Sequence, residues 1–175
     1  MAPTQTATKT LSSLVRGKGD GGMHYSIGIA GIKVVKTPDT VRTVLGSCIG
    51  IALYDRAAKV GGLAHVILPN SSEGRGDPAK FADTAVDLLL EKLIDAGGEK
   101  KYITAKIVGG AAMFGKQEAG GLGQRNAEAV QERLKHHAIR LTACVIGGTK
   151  GRKIRLDAQN GEVEVIRIGE EPETI

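Results

Sequence analysis

The chain has no Trp, two Phe and three Tyr in 175 residues, so aromatic side chains make up only 3% of it. Readers of single-stranded nucleic acid alternate basic groups with aromatic rings on which bases stack. Here Tyr25, Tyr54, Phe81, Tyr102 and Phe114 are scattered, which argues against nucleic acid. The net charge of +5, from 24 basic and 19 acidic side chains, is therefore better explained by an acidic protein partner. Cysteine is equally scarce. Cys48 and Cys144 are the only two, with no C-x-x-C pair and no Cys/His cluster at zinc spacing, which excludes a disulfide framework and a structural zinc site. No uncharged apolar run approaches the ~20 residues of a membrane helix, and the first twenty-odd residues lack the apolar centre of a secretory signal. The expected compartment is a reducing cytoplasm, without membrane insertion. Five prolines and 41% hydrophobic residues exclude wholesale disorder.

Glycine, by contrast, is abundant. Its 25 residues in 175 are about twice the usual share of roughly 7%, and without a G-X-Y period they point to many tight bends in one globular domain. Residues 1–22, rich in Thr, Ser, Gly and Ala, read as a flexible tail or short docking helix, and residues 23–175 as the domain. Tyr25 to Val35 reads as a strand, Thr37 to Thr40 as a turn, Val41 to Tyr54 as a buried strand bent at Gly46-Ser47-Cys48, and Gly61 to Leu68 as another strand. Ala82, Val86, Leu89, Leu90 and Leu93 share one helical face, with Asp77 as N-cap, Pro78 at the first position and Gly97-Gly98 as the stop. After a strand at Ile103 to Val108 and a glycine-rich loop, a second amphipathic helix spans about Arg125 to His137. Strands follow at Leu141 to Ile146, Arg152 to Leu156 and Glu162 to Ile168. The expected fold is α+β: a layered sandwich of mixed β-sheet with the two amphipathic helices on the outside.

Three motifs bear on chemistry. Gly17, Gly19 and Gly22 match G-x-G-x-x-G, but in a polar tail without the strand and helix a dinucleotide site needs. Gly110 to Lys116, GAAMFGK, fits a phosphate-cradling loop until Gln117, where that loop needs a Ser or Thr hydroxyl on Mg²⁺. The third is Cys48 in a glycine-flanked bend, with His65 following 17 residues later in the next apolar run. A nucleophilic thiol needs a base to take its proton, and adjacent buried strands can bring these two together. Backbone amides at Gly46 and Ser47 could meet a developing oxyanion. The plain alternative is a core thiol and a satisfied core histidine. Cys144, in the apolar run LTACVI, reads as core; His24 and His136-His137 carry no metal or catalytic pattern.

LGSCIGIALYD (Leu45 to Asp55), GGLAHVILP (Gly61 to Pro69), KFADTAVDLLLEKL (Lys80 to Leu93), AKIVGGAAMF (Ala105 to Phe114), GLGQRNAEAV (Gly121 to Val130) and GGTKGRKI (Gly147 to Ile154) together resemble the CheD family of bacterial chemoreceptor glutamine deamidases. The resemblance implies Cys48 as nucleophile, His65 as base and an upstream Thr as third residue. Thr43 is the nearest candidate, with Arg42 in its place if the match shifts by one position. The family usually has Asp where this chain has Val145. The substrates implied are methyl-accepting chemotaxis receptors, the activity is hydrolysis of a glutamine side-chain amide without metal or organic cofactor, and a regulatory CheC-type phosphatase is an implied partner. Two other readings remain: an adaptor that binds receptor or phosphatase with little deamidation, and a receptor methylesterase using the same Cys.

Overall fold

The computed structural model describes residues 15–16, 21–113 and 120–175. The first 14 residues of the expected tail, and Gly17 and Gly19 of its glycine motif, lie outside them, as do Phe114, Gly115 and Lys116 of the phosphate-loop match. Within the expected tail, Val15–Arg16 forms a two-residue strand, β1, paired antiparallel with Met23 and His24.

The single strand expected from Tyr25 to Val35 is two. β2 (Met23–Ser26) and β3 (Ile32–Lys36) lie in different sheets. Between them the chain reverses at Ile27 to Gly31, where Ala30 takes a left-handed φ of 58° and the Gly31 amide donates to the Gly28 carbonyl. The run from Val41 to Tyr54 divides in the same way: β4 (Thr40–Leu45) ends at the Gly46-Ser47-Cys48 bend and β5 (Ile49–Asp55) crosses to the other sheet. β6 (Val60–Val66) returns antiparallel to β5. Every residue of β5 and β6 is buried, as expected for strands covered on both faces.

Helix α1 (Ala82–Asp95) starts later than its sequence signals suggest. Asp77 and Pro78 do cap a helical turn, with the Asp77 side chain accepting from the Ala79 amide, but that turn is a 3₁₀ segment, Pro78–Lys80. Phe81, extended at φ −108° and ψ 140°, separates the two. Its ring is buried, so side-chain packing overrides the local helical pattern. Strand β7 (Ile103–Gly109) follows, then α2 (Leu122–His136), β8 (Arg140–Ile146), β9 (Arg152–Asp157), β10 (Val163–Arg167) and a short β11 (Glu173–Thr174) that the sequence reading did not include.

Two mixed sheets result, ordered β1-β2-β4-β9-β10-β11 and β3-β6-β5-β7-β8. The helices pack on the second, α1 over β3, β5 and β6, and α2 over β5, β7 and β8. The layers are thus helices, five-stranded sheet, six-stranded sheet. One core, with Ile51, Leu53, Leu89, Leu93, Ile107 and Leu134, fills the space under the helices; the other, with Val41, Leu45, Cys48, Leu63, Ile154 and Leu156, lies between the sheets. Each fully buried Leu or Ile contributes roughly 1.5–3 kcal/mol, so both layers hold β5 and β6 firmly. Cys144 is a correction to the core reading: β8 is an edge strand, and this free thiol is exposed on it. No helix among the described residues is long and apolar enough to cross a membrane.

At the end of β7, Gly109 has φ 130°, and a Cβ there would run into the Cys48 carbonyl oxygen. Gly109→Ala is expected to lower stability by about 2 kcal/mol or more. Gly28→Ala, where a Cβ meets nothing within 4 Å, is expected to stay within ~0.5 kcal/mol of the parent. Urea-unfolding midpoints of the two variants check this.

Candidate active site

Alternation along the strands decides which side chains face the inter-sheet layer. In β4, Val41, Thr43 and Leu45 are buried, while Arg42 is half-buried and Val44 exposed, so Thr43 points inward and Arg42 to the opposite face. In the β5–β6 ladder His65 lies opposite Gly50. Continuing that alternation past the start of β5 places Cys48 on the same face as Gly50, diagonal to His65. Gly50 admits the close approach of the sheets: a Cβ there would lie 2.6 Å from Ile154 Cδ1 and 2.9 Å from Leu45 Cδ1. Thr43 of β4, Cys48 of the bend and His65 of β6 thus face the same layer, and all three are buried, at 1%, 8% and 3% exposure.

His65 is held at one ring nitrogen. Thr43 Oγ1 stands 2.8 Å from His65 Nδ1 and, on its other side, donates to the Ile27 carbonyl at 2.8 Å. A hydroxyl has one proton. With that proton directed to Ile27, the oxygen accepts from His65, which places the imidazole proton on Nδ1 and leaves the Nε2 lone pair bare. Nε2 is buried and bonds to nothing among the described residues. The backbone closes the same circuit, because the His65 carbonyl accepts from Ala30 and the His65 amide donates to Gly31, both in the turn that follows Ile27.

Burial sets the protonation states. It lowers the His65 pKa from its ordinary value of 6.5 to about 4, so the imidazole is neutral near neutral pH and its free lone pair can accept a proton. Burial also raises the Cys48 thiol, against a smaller lowering by the residue's own amide. The resting pair is therefore thiol and imidazole rather than thiolate and imidazolium, and the proton must move as the sulfur attacks.

The bend before Cys48 is fixed through its carbonyls. Gly46 O accepts from the Ala111 amide and Cys48 O from the Gly110 amide, each at 2.9 Å. Within a planar trans peptide the C=O and the following N–H point opposite ways, so the Ser47 N–H is turned away from Ala111. The Ser47 amide donates to no acceptor among the described residues, and the Cys48 amide is directed at its own sulfur, so both lie beside the thiol where an oxyanion would form. Among the described residues no three His, Cys, Asp or Glu side chains form a metal-binding group.

The remaining histidines lie elsewhere. His137 Nε2 pairs with Asp87 Oδ1 at 2.6 Å beside Arg133, tying α2 to α1, and His24 Nδ1 meets Thr40 Oγ1 at 2.7 Å. Two residues near the site were absent from the sequence reading. Arg152 is 4% exposed and bonds only to backbone carbonyls; its signal was a charged residue at the inward parity of Ile154 and Leu156. Ile27 acts through its carbonyl, for which no side-chain pattern exists.

The depressed His65 pKa carries a stability consequence. The unfolded chain binds this proton near pH 6.5 and the folded chain only near 4, so the folded state is favoured fully above 6.5 and loses stability as pH falls toward 4. The urea midpoint is expected to drop across that window, and His65→Gln to flatten the drop. An unchanged slope in the variant contradicts the assignment.

The family model described as CheD chemotactic sensory transduction matches residues 67–167. Proteins named "Probable chemoreceptor glutamine deamidase CheD" are similar over most of the chain. The one from Clostridium botulinum (strain Eklund 17B / Type B) is 44% identical over 152 residues, covering 83% of this chain and 94% of that protein. The one from Clostridium botulinum (strain Hall) is 46% identical with the same coverage. A solved structure from Neisseria meningitidis, of family DUF152, aligns at 16% identity over 67% of this chain and 52% of that one, with a TM-score of 0.41, too distant to bear on fold or function. Relatives at this identity, matched nearly end to end, place this chain in the CheD family.

Proposed function

We propose that this protein hydrolyses glutamine side-chain amides of chemotaxis receptors to glutamate and ammonia, with Cys48 as nucleophile, His65 as general base and acid, and Thr43 as its orienting partner. The observation that carries the reading is the Ile27–Thr43–His65 relay, which leaves the other imidazole nitrogen buried and unpaired among the described residues, in a chain whose relatives are named glutamine deamidases.

His65 Nε2 takes the thiol proton as Cys48 Sγ attacks the carboxamide carbon. The carbonyl π electrons move to oxygen, and the oxyanion meets the Ser47 and Cys48 amides, each worth up to about 3–4 kcal/mol in the transition state when well placed. The imidazolium gives its proton to the nitrogen, the C–N bond breaks and ammonia leaves a thioester. Water then loses a proton to His65 and attacks the thioester; the sulfur departs, regains a proton, and glutamate is released. Such a site acts in the cytoplasm on receptor helices whose new carboxylates alter signalling or become methylation sites, and a CheC-type phosphatase is a regulatory partner of the same proposal.

The test is incubation with receptor cytoplasmic fragments, read by ammonia release and by Gln-to-Glu conversion in mass spectra. Conversion by the parent and none by Cys48→Ala is expected. Binding without conversion points to an adaptor, methanol release to an esterase, and conversion that persists in Cys48→Ala overturns the mechanism.

Two further outcomes follow from the relay. Thr43→Val leaves the Nδ1 proton buried without an acceptor and frees the tautomer, so kcat is expected to fall roughly 100-fold, in the range of lost acid–base catalysis, while Thr43→Ser retains most of it. The acid limb of the kcat/KM profile is expected near the depressed His65 value of about 4, with activity rising as pH increases through it; a limb near 6.5 contradicts a buried neutral base.

A further inference from the structure

We infer that Arg152 is a positioning residue for the oxyanion side of the site, acting through the backbone of two adjoining loops. The inference rests on the deamidase reading above.

Arg152 begins β9 opposite Leu45, the last residue of β4 before the Gly46-Ser47-Cys48 bend. Its side chain is buried, yet no carboxylate among the described residues pairs with it. Nη1 donates to the Val145 carbonyl at 3.0 Å, and Nη2 to the carbonyls of Gly147 and, at 3.4 Å, Lys150. Nε has no partner among the described residues. A buried charge without an ion-pair partner is costly; here the hydrogen bonds come from carbonyl dipoles, and the Glu170 and Glu173 carboxylates act on it only from a distance. Val145 meets the fork with its backbone carbonyl and has no charged group to offer. Three carbonyls converging on one planar fork fix the shape of the loop from Gly147 to Gly151, whose Gly147 and Gly148 both have positive φ, 85° and 74°.

That loop then passes its geometry toward Cys48. The Gly147 amide donates to Gly109 O at 2.9 Å, and Gly148 O accepts from the Ala112 amide at 2.8 Å. The segment so held, Gly109 to Ala112, supplies the Gly110 and Ala111 amides that bind Cys48 O and Gly46 O. From the other side Gly151 lies against the bend: a Cβ on it would stand 3.3 Å from Leu45 O. The guanidinium is thus two loops away from the peptide that turns the Ser47 amide toward an oxyanion. A lysine cannot replace it fully, because one ammonium does not reproduce the planar fork.

The test uses the full chain with Cys144→Ser, since Cys144 is an exposed second thiol. Arg152→Gln and Arg152→Lys are assayed for deamidation of a receptor fragment and, separately, for alkylation of Cys48 by iodoacetamide. Alkylation displaces iodide at a saturated carbon and forms no oxyanion, so it reports the thiol and not the hole. For Arg152→Gln, kcat is expected to fall ~100-fold, in line with the loss of one oxyanion donor, with KM and the alkylation rate each within about twofold of the parent. Arg152→Lys is expected to fall roughly tenfold in kcat. Parent-like kcat in Arg152→Gln overturns the inference, as does an equal fall in alkylation and deamidation. Loss of the folded circular-dichroism spectrum in both variants also overturns it and makes Arg152 a staple of the fold. A parent that converts no glutamine overturns the deamidase reading and this inference with it, whereas an active parent with unaffected variants overturns the inference alone.

Discussion

One hydrogen bond ties the architecture to the chemistry: Thr43 Oγ1 to His65 Nδ1, between a strand of one sheet and a strand of the other. It sits in a layer filled mostly with aliphatic side chains, where a polar atom without a partner costs more than in water. The two sheets must therefore dock in the register that satisfies it. Because the Thr43 proton is already committed to Ile27, the same bond selects the imidazole tautomer. Packing, register and protonation are set together.

The surrounding structure keeps this contact dry and rigid. Gly50 lets Leu45 and Ile154 close over the ladder position opposite His65, and α1 and α2 cover the far face of the same strands. Dryness keeps the imidazole neutral and the thiol protonated, which favours a base over an ion pair. A Cys48 that is 8% exposed calls for a slender group such as an extended amide side chain to reach the sulfur. The bend that carries Cys48 is held by its carbonyls, which accept from Ala111 and Gly110 and leave the Ser47 amide outside those bonds. The glycine excess is partly accounted for here: Gly46, Gly50, Gly109, Gly110, Gly147 and Gly148 all lie where backbone segments meet around the site.

Much of this was legible in the sequence. Apolar runs gave most strands, helical periodicity gave both helices, and the family resemblance drew attention to Cys48 and His65. Thr43 rather than Arg42 follows from strand parity once β4 is seen to bury Val41 and Leu45. Other features depend on tertiary context. A run such as Tyr25 to Val35 does not reveal that its halves belong to different sheets, because the reversal at Ala30 uses a left-handed residue that is not glycine. Cys144 has the composition of a core residue and misled because β8 lies at a sheet edge. Helix α1 begins at Ala82 rather than beside its Asp77-Pro78 signal because the buried Phe81 ring fixes an extended residue between them.

The central claim is the state of one imidazole, and nitrogen-15 NMR of the His65 ring reads it directly. The account predicts a neutral ring at pH 7 with the proton on Nδ1, a bare Nε2, and charging only near pH 4. A proton on Nε2 at pH 7, or titration near 6.5, contradicts it.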